Sequence, residues 1–456
     1  MTPAESSLEA TVARPQPPAR LLGLSARLLQ GKRPLFVMIQ AVGTQVFIAV
    51  INILTGVITA RMLGPQGRGI YTAVTTWPQL LATLAFAGLN SAVVFRMRKA
   101  PESVGRVAAG ALMLGTAQCL VAIAAGVALL PMLMGKYPAA TVSFARICLV
   151  SALVNSTYML MKQSFAGIGA FKQFNLANLW PQLLYLIALL AMLPFGPVTA
   201  SATIVALLGT GALAVLTTLP KFLQLVRPRL PGSVAELRQI ASFSSRAAAM
   251  DVVFALASNA DRLVLIPLLS PGELGFYTVA FSFSRAIQLA QPAIASVVFS
   301  HMAGLSASNG KQLHDHGLRF LLAALVAGLC VLWLVGAPLL VFTYGPEFAA
   351  ANAIFRLLLV EAALGALSQV TIQLFLARDR PGIVSTIQVI VLCVSVGALL
   401  VLVPRYGAVG AAAGLLIAAV VRWVLLLGLV RFSLKLPLPR LYLRGDDFQY
   451  LLGRLH

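Results

Sequence analysis

Charge is what this sequence has least of. Only 10% of its 456 residues are charged, against roughly 25% in an ordinary soluble domain. Acids are scarcest: 13 Asp and Glu stand against 34 Lys and Arg, a formal net charge of +21. The four cysteines, Cys119, Cys148, Cys330 and Cys393, lie in apolar stretches without CxxC spacing. They read as small buried hydrophobes and not as a zinc or thiol-redox motif. Histidine is equally rare, and His314-Asp315-His316 reads as part of a solvated loop. No GxxxxGK[ST] occurs, which excludes direct use of ATP through a P-loop. Residues 1–34 hold no apolar core of a cleavable signal, and are expected to form a polar cytoplasmic tail. No stretch between apolar runs is long enough for a soluble domain.

What is abundant is hydrocarbon. Hydrophobic residues make up 59% of the chain and mean hydropathy is +0.90. A soluble fold cannot bury that much apolar surface, so the chain is expected to dissolve in a bilayer. A helical crossing needs about 20 apolar residues. The hydropathy pattern predicts twelve, at 35–60, 71–95, 107–130, 141–163, 174–193, 198–220, 240–266, 274–299, 318–342, 350–376, 382–403 and 408–430. The fold class is therefore an all-α polytopic membrane protein. Short interfacial helices are expected at 21–30 and within 437–456.

The basic residues then sort by side. The N-terminal tail carries Arg14, Arg20, Arg27, Lys32 and Arg33. Connections on the same side add clusters such as Arg96, Arg98, Lys99 and Arg106, or Arg227, Arg229 and Arg238. The opposite connections hold only Arg61, Arg68, Lys136 and Arg405. The positive-inside rule places both termini in the cytoplasm. Most of the positive charge is thus topology charge, and no nucleic-acid partner is implied.

The sequence also repeats. Residues 63–72 read LGPQGRGIYT and 269–278 read LSPGELGFYT, an offset of 206. Arg146-Ile-Cys-Leu-Val aligns with Arg356-Leu-Leu-Leu-Val at an offset of 210, and Pro194 with Pro404. Each Pro/Gly segment reads as a tight turn followed by an interfacial tyrosine. Spans 1–6 and 7–12 form two halves of the same orientation, predicting an N-lobe at 35–230 and a C-lobe at 231–436. Two lobes related by an axis along the membrane normal leave a central cavity between them.

These residues carry a family resemblance. The run ITARMLGPQGRGIYTAVTTWPQLLATLAFAGLNSAVVF resembles the opening helices of bacterial polysaccharide repeat-unit flippases of the Wzx type, in the multidrug/oligosaccharidyl-lipid/polysaccharide (MOP) exporter superfamily. YGPEFAAANAIFRLLLVEAALGAL and LLVLVPRYGAVGAAAGLLIAAVVRWV extend it over nearly all of residues 35–432. The resemblance implies two six-helix bundles whose spans 1, 2, 7 and 8 line a central cavity. It implies an undecaprenyl-pyrophosphate-linked oligosaccharide as substrate, moved from the cytoplasmic to the periplasmic leaflet of the inner membrane. Related lipid II flippases usually carry fourteen helices, for which the sequence has no room.

Polar residues inside the spans are the candidates for function, because a charge at mid-bilayer faces a cavity or a partner. Span 7 carries Ser244, Asp251, Ser258 and Arg262 within roughly 40° of one another. Span 1 shows the matching Gln45 and Asn52. Span 8 presents Thr278, Ser282, Arg285 and Gln288, with Thr72, Thr76 and Gln79 as counterparts in span 2. Six arginines lie in spans (Arg146, Arg246, Arg262, Arg285, Arg356 and Arg422) against Asp251, Asp261 and Glu361. That excess suits a pyrophosphate, since guanidinium forks match phosphate oxygens. Arg285 is the first choice for a head-group contact and Arg262 the second. Gln45, Asn52, Gln79, Ser258, Ser282 and Gln288 complete the expected site. Arg146 and Arg356 read as structural. Asp251 and Glu361 either carry a coupling ion, proton or sodium, or neutralise buried arginines. No metal or organic cofactor is expected, and other polysaccharide assembly proteins are conceivable partners. An ion-coupled multidrug exporter of the same superfamily would need a cavity of acids and aromatics. A membrane polymerase or glycosyltransferase would need a catalytic site on long outer loops, which the sequence lacks.

Overall fold

The computed structural model describes residues 34–196, 198–230, 232–288, 307–376, 378 and 380–433. Every regular element among them is helical. The helices are α1 (Pro34–Ala85), α2 (Leu89–Lys99), α3 (Val104–Leu133), α4 (Ala139–Cys148), α5 (Ser151–Gly167), α6 (Phe171–Met192), α7 (Ala200–Val226), α8 (Val234–Leu268), α9 (Pro271–Ser284), α10 (Ala307–Tyr344), α11 (Ala351–Leu376) and α12 (Pro381–Phe432). The chain divides into two compact units, Met1–Phe47 and Ile48–His456. Both expected lobes, from Ile48 onward, fall in the second. The expected interfacial helices at 21–30 and 437–456 lie outside the described residues.

Eight helical segments among the described residues are long and apolar enough to cross a membrane, or nine with the bent pair Val234–Ala249 and Asp251–Leu268. Two are double-length: Gly43–Ala85 has 43 residues and Gly382–Phe432 has 51. Each is broken at one glycine with left-handed backbone, Gly64 (φ 62°) or Gly407 (φ 56°). The turn expected between spans 1 and 2 is thus a one-residue kink, which glycine adopts without the Cβ clash other residues suffer. These doubles make the segments compatible with twelve crossings. At the equivalent point of the second half the chain does open. Ser270 starts α9 with a capping box, its hydroxyl accepting from the Glu273 amide while the Glu273 carboxylate accepts from the Ser270 amide, and Pro271 fixes the first turn. Of the eighth expected span, the 14-residue α9 (Pro271–Ser284) covers the first part, residues 274–284. Residues 289–306 lie outside the described part. α10 begins at Ala307, so His314–His316 sits in a helix and not in the expected loop.

The surface reads as that of a multi-pass membrane protein. Met132, Leu334 and Phe342 are 81%, 78% and 78% exposed on helices; such faces are stable against lipid and not against water. Cys119 and Cys148 are buried as expected, whereas Cys330 and Cys393 are exposed. α11 is the enclosed helix: 61% of its apolar window is buried, against 11–28% for the other segments. It packs on α9, α10 and α12. One core cluster joins the halves, bringing Trp77 and Leu80 together with Leu265, Tyr277 and Phe355. A second, with Phe86, Met97, Leu160 and Phe222, centres on the first half.

Candidate functional site

The repeated Pro/Gly segments meet each other. A Cβ on Gly69 would stand 1.7 Å from the carbonyl oxygen of Pro271, and one on Gly275 would stand 1.9 Å from that of Pro65. Pro65 and Pro271, like Gly69 and Gly275, are mates at the offset of 206. The backbones of α1 and α9 therefore touch reciprocally, as a two-fold relation between the halves requires. Thr72 and Thr278, also mates, meet hydroxyl to hydroxyl at 3.5 Å. This contact joins the halves at the end poor in basic residues, the end that the positive-inside expectation places outside. It also draws the tyrosines inward. Tyr277 is 2% exposed and donates to Asp261 Oδ2 at 2.8 Å, so it is no interfacial anchor.

Each half holds a polar cavity. That of the second half has a volume of about 280 Å³ and lies between α8, α9, α11 and α12. Ser258, Asp261, Arg285, Gln288, Glu361 and Arg422 line it, with Gln369 and Gln388. α9 ends at Ser284 and tightens into a 3₁₀ turn over Arg285–Gln288. In that turn residues three apart eclipse, which sends Arg285 and Gln288 into the same space. Arg285 Nη2 lies 2.9 Å from Glu361 Oε2, and the guanidinium carbon 4.2 Å from the Phe281 ring centre. The two charged side chains are 28% and 12% exposed. Gln288 Nε2 donates to the Ala362 carbonyl at 2.7 Å.

The first half has two adjoining chambers of about 160 and 290 Å³, which share Gln79, Asn155, Gln182 and Gly211. They lie between α1, α5, α6 and α7, the counterparts of the helices around the other cavity. Gln79 is the mate of Arg285 and Asn155 that of Gly365, so the two cavities are themselves mates. The first is lined by neutral groups except for Lys162, whose Nζ bonds Asn178 Oδ1 at 3.0 Å. The second holds two cations and two carboxylates.

The expected site residues therefore separate. Arg285, Gln288, Ser258 and Glu361 come together, and Gln79 occupies the equivalent place in the other half. Ser282 and Asn52 are exposed and are not among the lining residues of these cavities. Gln45 is exposed within the first unit. Arg262 is half-buried, again outside these linings. The hydroxyls of Ser258 and Ser282 donate to carbonyls four residues back, at 2.7 and 2.8 Å, satisfying themselves within their own helices. Arg146, Arg246 and Arg356 are exposed, with Arg356 stacked 5.3 Å from the Trp333 ring. Sequence reasoning left Arg422, Asp261, Gln369 and Gln388 out of the site; each is a polar residue inside an apolar span, which was the available signal.

Asp251 is engaged elsewhere. Its Oδ2 accepts from the amide of Gly88 at 2.8 Å, and Gly88 is the left-handed residue that opens α2. α8 bends by 44° at this point, between Ala249 and Asp251. The bend breaks the single polar face expected for span 7, and the carboxylate ties the second half to a helix start of the first. Asp251→Asn retains a carbonyl acceptor and should keep both stability and export. Asp251→Ala should lose about 1 kcal/mol, as for other caps, read as a lowered Tm in detergent. Loss of export in a fully stable Asp251→Asn protein would instead return an ion-carrying role to this residue.

A family model described as polysaccharide biosynthesis protein matches residues 58–351. The chain belongs to this family. No curated protein sequence matches it. Among solved structures it is similar to one described as the lipid II flippase MurJ in an inward closed conformation, with a TM-score of 0.72, 14% identity and 91% of each chain covered. It is similar to an inward-facing multidrug resistance MATE family transporter of the MOP superfamily, with a TM-score of 0.69, 15% identity, and 85% of this chain and 94% of that one covered. For an outward-facing MATE transporter of that superfamily the TM-score is 0.58 at 16% identity, with 88% and 94% covered. At such identities the likeness is one of fold, and the fold is the all-helical one of MOP-superfamily transporters, as the sequence resemblance implied. These neighbours are transporters and flippases, not enzymes. Glu361 and Arg422 lie beyond the segment that the family model matches.

Proposed function

We infer that the protein is a flippase for an undecaprenyl-pyrophosphate-linked oligosaccharide, moving it from the cytoplasmic to the periplasmic leaflet of the inner membrane by alternating access. One observation carries this reading beyond the family: a guanidinium held by a single carboxylate inside a membrane-embedded cavity, Arg285 against Glu361. A pyrophosphate offers the same planar fork more oxygens and more charge than a carboxylate does. Substrate therefore takes the donors of Arg285 from Glu361. The freed Glu361, left with Arg422 as the remaining cation against two carboxylates in the cavity, takes up a proton or sodium ion. When the substrate leaves on the far side, Arg285 recovers Glu361 and the ion is expelled. Such an exchange uses no nucleotide, and it carries the ion in the same direction as the substrate.

The outer contact at Gly69 and Gly275 supports the alternating-access part of the reading, since a close contact of bare backbones at one end is a separable gate. A cavity dominated by acids and aromatics would suit organic cations; here Arg285 and Arg422 balance Asp261 and Glu361. The test is the distribution of lipid-linked intermediates in a strain lacking the protein. Complete repeat units should accumulate on the cytoplasmic leaflet, and restoring the gene should clear them. Complete units found at normal levels on the periplasmic leaflet of the deletion strain would overturn the reading.

A further inference from the structure

At the basic end of the first half, five helix ends surround a cavity of about 870 Å³. They are the last turns of α2, α5 and α7 and the first turns of α3 and α6. It shares no lining residue with the polar cavities described above. Its lining brings Arg98, Arg106, Arg227 and Arg229 together against one acid, Glu102, beside apolar Met97 and Phe171. Arg106 is paired, its Nε 3.5 Å from Glu236 Oε1. Arg98 reaches only the Ala166 carbonyl, at 3.3 Å. Among the described residues no carboxylate pairs with Arg98, Arg227 or Arg229.

The positive-inside rule explains basic residues near this end. It does not require them to converge on one cavity, nor to accept strain. Arg227 does both. It has φ 50° and ψ 64°, the one non-glycine residue with positive φ among the described residues. That conformation costs a side-chain-bearing residue roughly 1–2 kcal/mol. The surroundings impose it. The Arg229 amide donates to the Gly105 carbonyl at 3.1 Å, and a Cβ on Gly105 would stand 2.2 Å from the Arg227 carbonyl oxygen. The chain leaving α7 is thus folded down onto the start of α3, which keeps Arg227 and Arg229 at the cavity. Arg227 is also the cap that ends α7, its amide donating to the Leu223 carbonyl, and a left-handed residue is a common helix end.

We propose that this cavity binds the phosphate of a lipid head group in the adjoining leaflet. Three unpaired guanidinium groups supply forked donors to phosphate oxygens, and Met97 and Phe171 offer an apolar wall to the lipid stem. The phosphate belongs to an anionic phospholipid or to the carrier lipid of the substrate. Both present the same chemistry here; the carrier-lipid assignment rests on the function proposed above, and the phospholipid assignment does not.

The test uses the purified full chain in bilayer discs of phosphatidylcholine, titrated with phosphatidylglycerol in one arm and undecaprenyl diphosphate in the other, and read by native mass spectrometry. Arg98→Gln, Arg227→Gly and Arg229→Gln together should weaken binding on the order of 100-fold, juxtamembrane charges contributing about fivefold each. A loss for phosphatidylglycerol assigns the site to membrane lipid, and a loss confined to undecaprenyl diphosphate assigns it to the carrier. Unchanged binding in both arms overturns the proposal. Arg227→Gly alone guards against misfolding, because glycine relieves the positive φ and should raise Tm slightly while weakening binding severalfold. Should the triple variant fail to fold, unchanged affinity in Arg227→Gly overturns the proposal by itself.

Discussion

Gly69→Ala and Gly275→Ala, combined in one chain, should arrest export with the outer end of the molecule held open. Alanine favours a helix over glycine by about 1 kcal/mol, so the substitutions improve each helix taken alone. The damage comes from the contact. The new methyl groups would sit 1.7 Å from the Pro271 carbonyl oxygen and 1.9 Å from that of Pro65, more than 1 Å inside ordinary contact distance. Neither obstacle is a flexible side-chain end; both are backbone, on helices anchored by Trp77, Tyr277 and Phe355. Overpacking of this kind costs typically 1–3 kcal/mol. Only the outer-closed state bears the cost, so it moves the equilibrium between closed and open by roughly five- to 150-fold. The two sites belong to one contact and should not add.

Cysteine accessibility reads the shift directly. In a background without the four native cysteines, Thr72→Cys reports on the centre of the contact, where Thr72 is 6% exposed. A membrane-impermeant maleimide added from outside should miss it in the parent and label it in the double-alanine protein. Cysteines at Gly67 and Ser270 should be labelled in both, and cysteines at Ser308 and Asp379 in neither, which fixes the orientation at the same time. Normal export with Thr72→Cys still protected would show that the reciprocal contact is no gate.

The contact itself was half legible in the sequence. LGPQGRGIYT and LSPGELGFYT are alike because their glycines and prolines occupy the same place in two halves that meet there. A turn signal alone does not say that the turn touches its own copy. The same limit applies to the polar residues. Period and hydropathy located Arg285, Gln288 and Glu361 within spans, and the structure brings them to one cavity. But a face computed at 100° per residue assumes a straight helix. α8 bends by 44° at Asp251, and α9 passes into a 3₁₀ turn at Arg285. Beyond those points, angles summed along the sequence no longer describe which way a side chain points. That is why Asp251 left the expected stripe for the Gly88 amide. Arg422 shows another limit: it is a lone charge in a span without a polar stripe, and only the packing of α12 against α8 and α11 gives it company.

The ion pair changes what a substitution at Arg285 should do. Arg285→Ala leaves Glu361 in a site where its side chain is 12% exposed, without the cation that sits 2.9 Å away in the parent. Removing one partner of a buried pair costs about 3–5 kcal/mol, enough to deplete folded protein in the membrane. Loss of export in that variant would say nothing about substrate. Two other variants separate the roles. Arg285→Gln with Glu361→Gln removes both charges and leaves neutral hydrogen-bonding groups of similar reach, so Tm should return close to the parent. Arg285→Lys keeps a cation for Glu361 but loses the planar fork. If Arg285 only neutralises Glu361, both variants should bind and export the lipid-linked oligosaccharide like the parent. If Arg285 holds the pyrophosphate, the double glutamine variant should be folded and inactive, with affinity for the substrate reduced by at least about 100-fold, the value of two charge-assisted hydrogen bonds at about 1.5 kcal/mol each. The lysine variant should fall between. Glu361→Gln alone should bind substrate at least as tightly as the parent, because the competing carboxylate is gone, yet export slowly because nothing expels the substrate from Arg285. Parent-like affinity in the folded double glutamine variant would remove Arg285 from the substrate site and leave the pair a structural one.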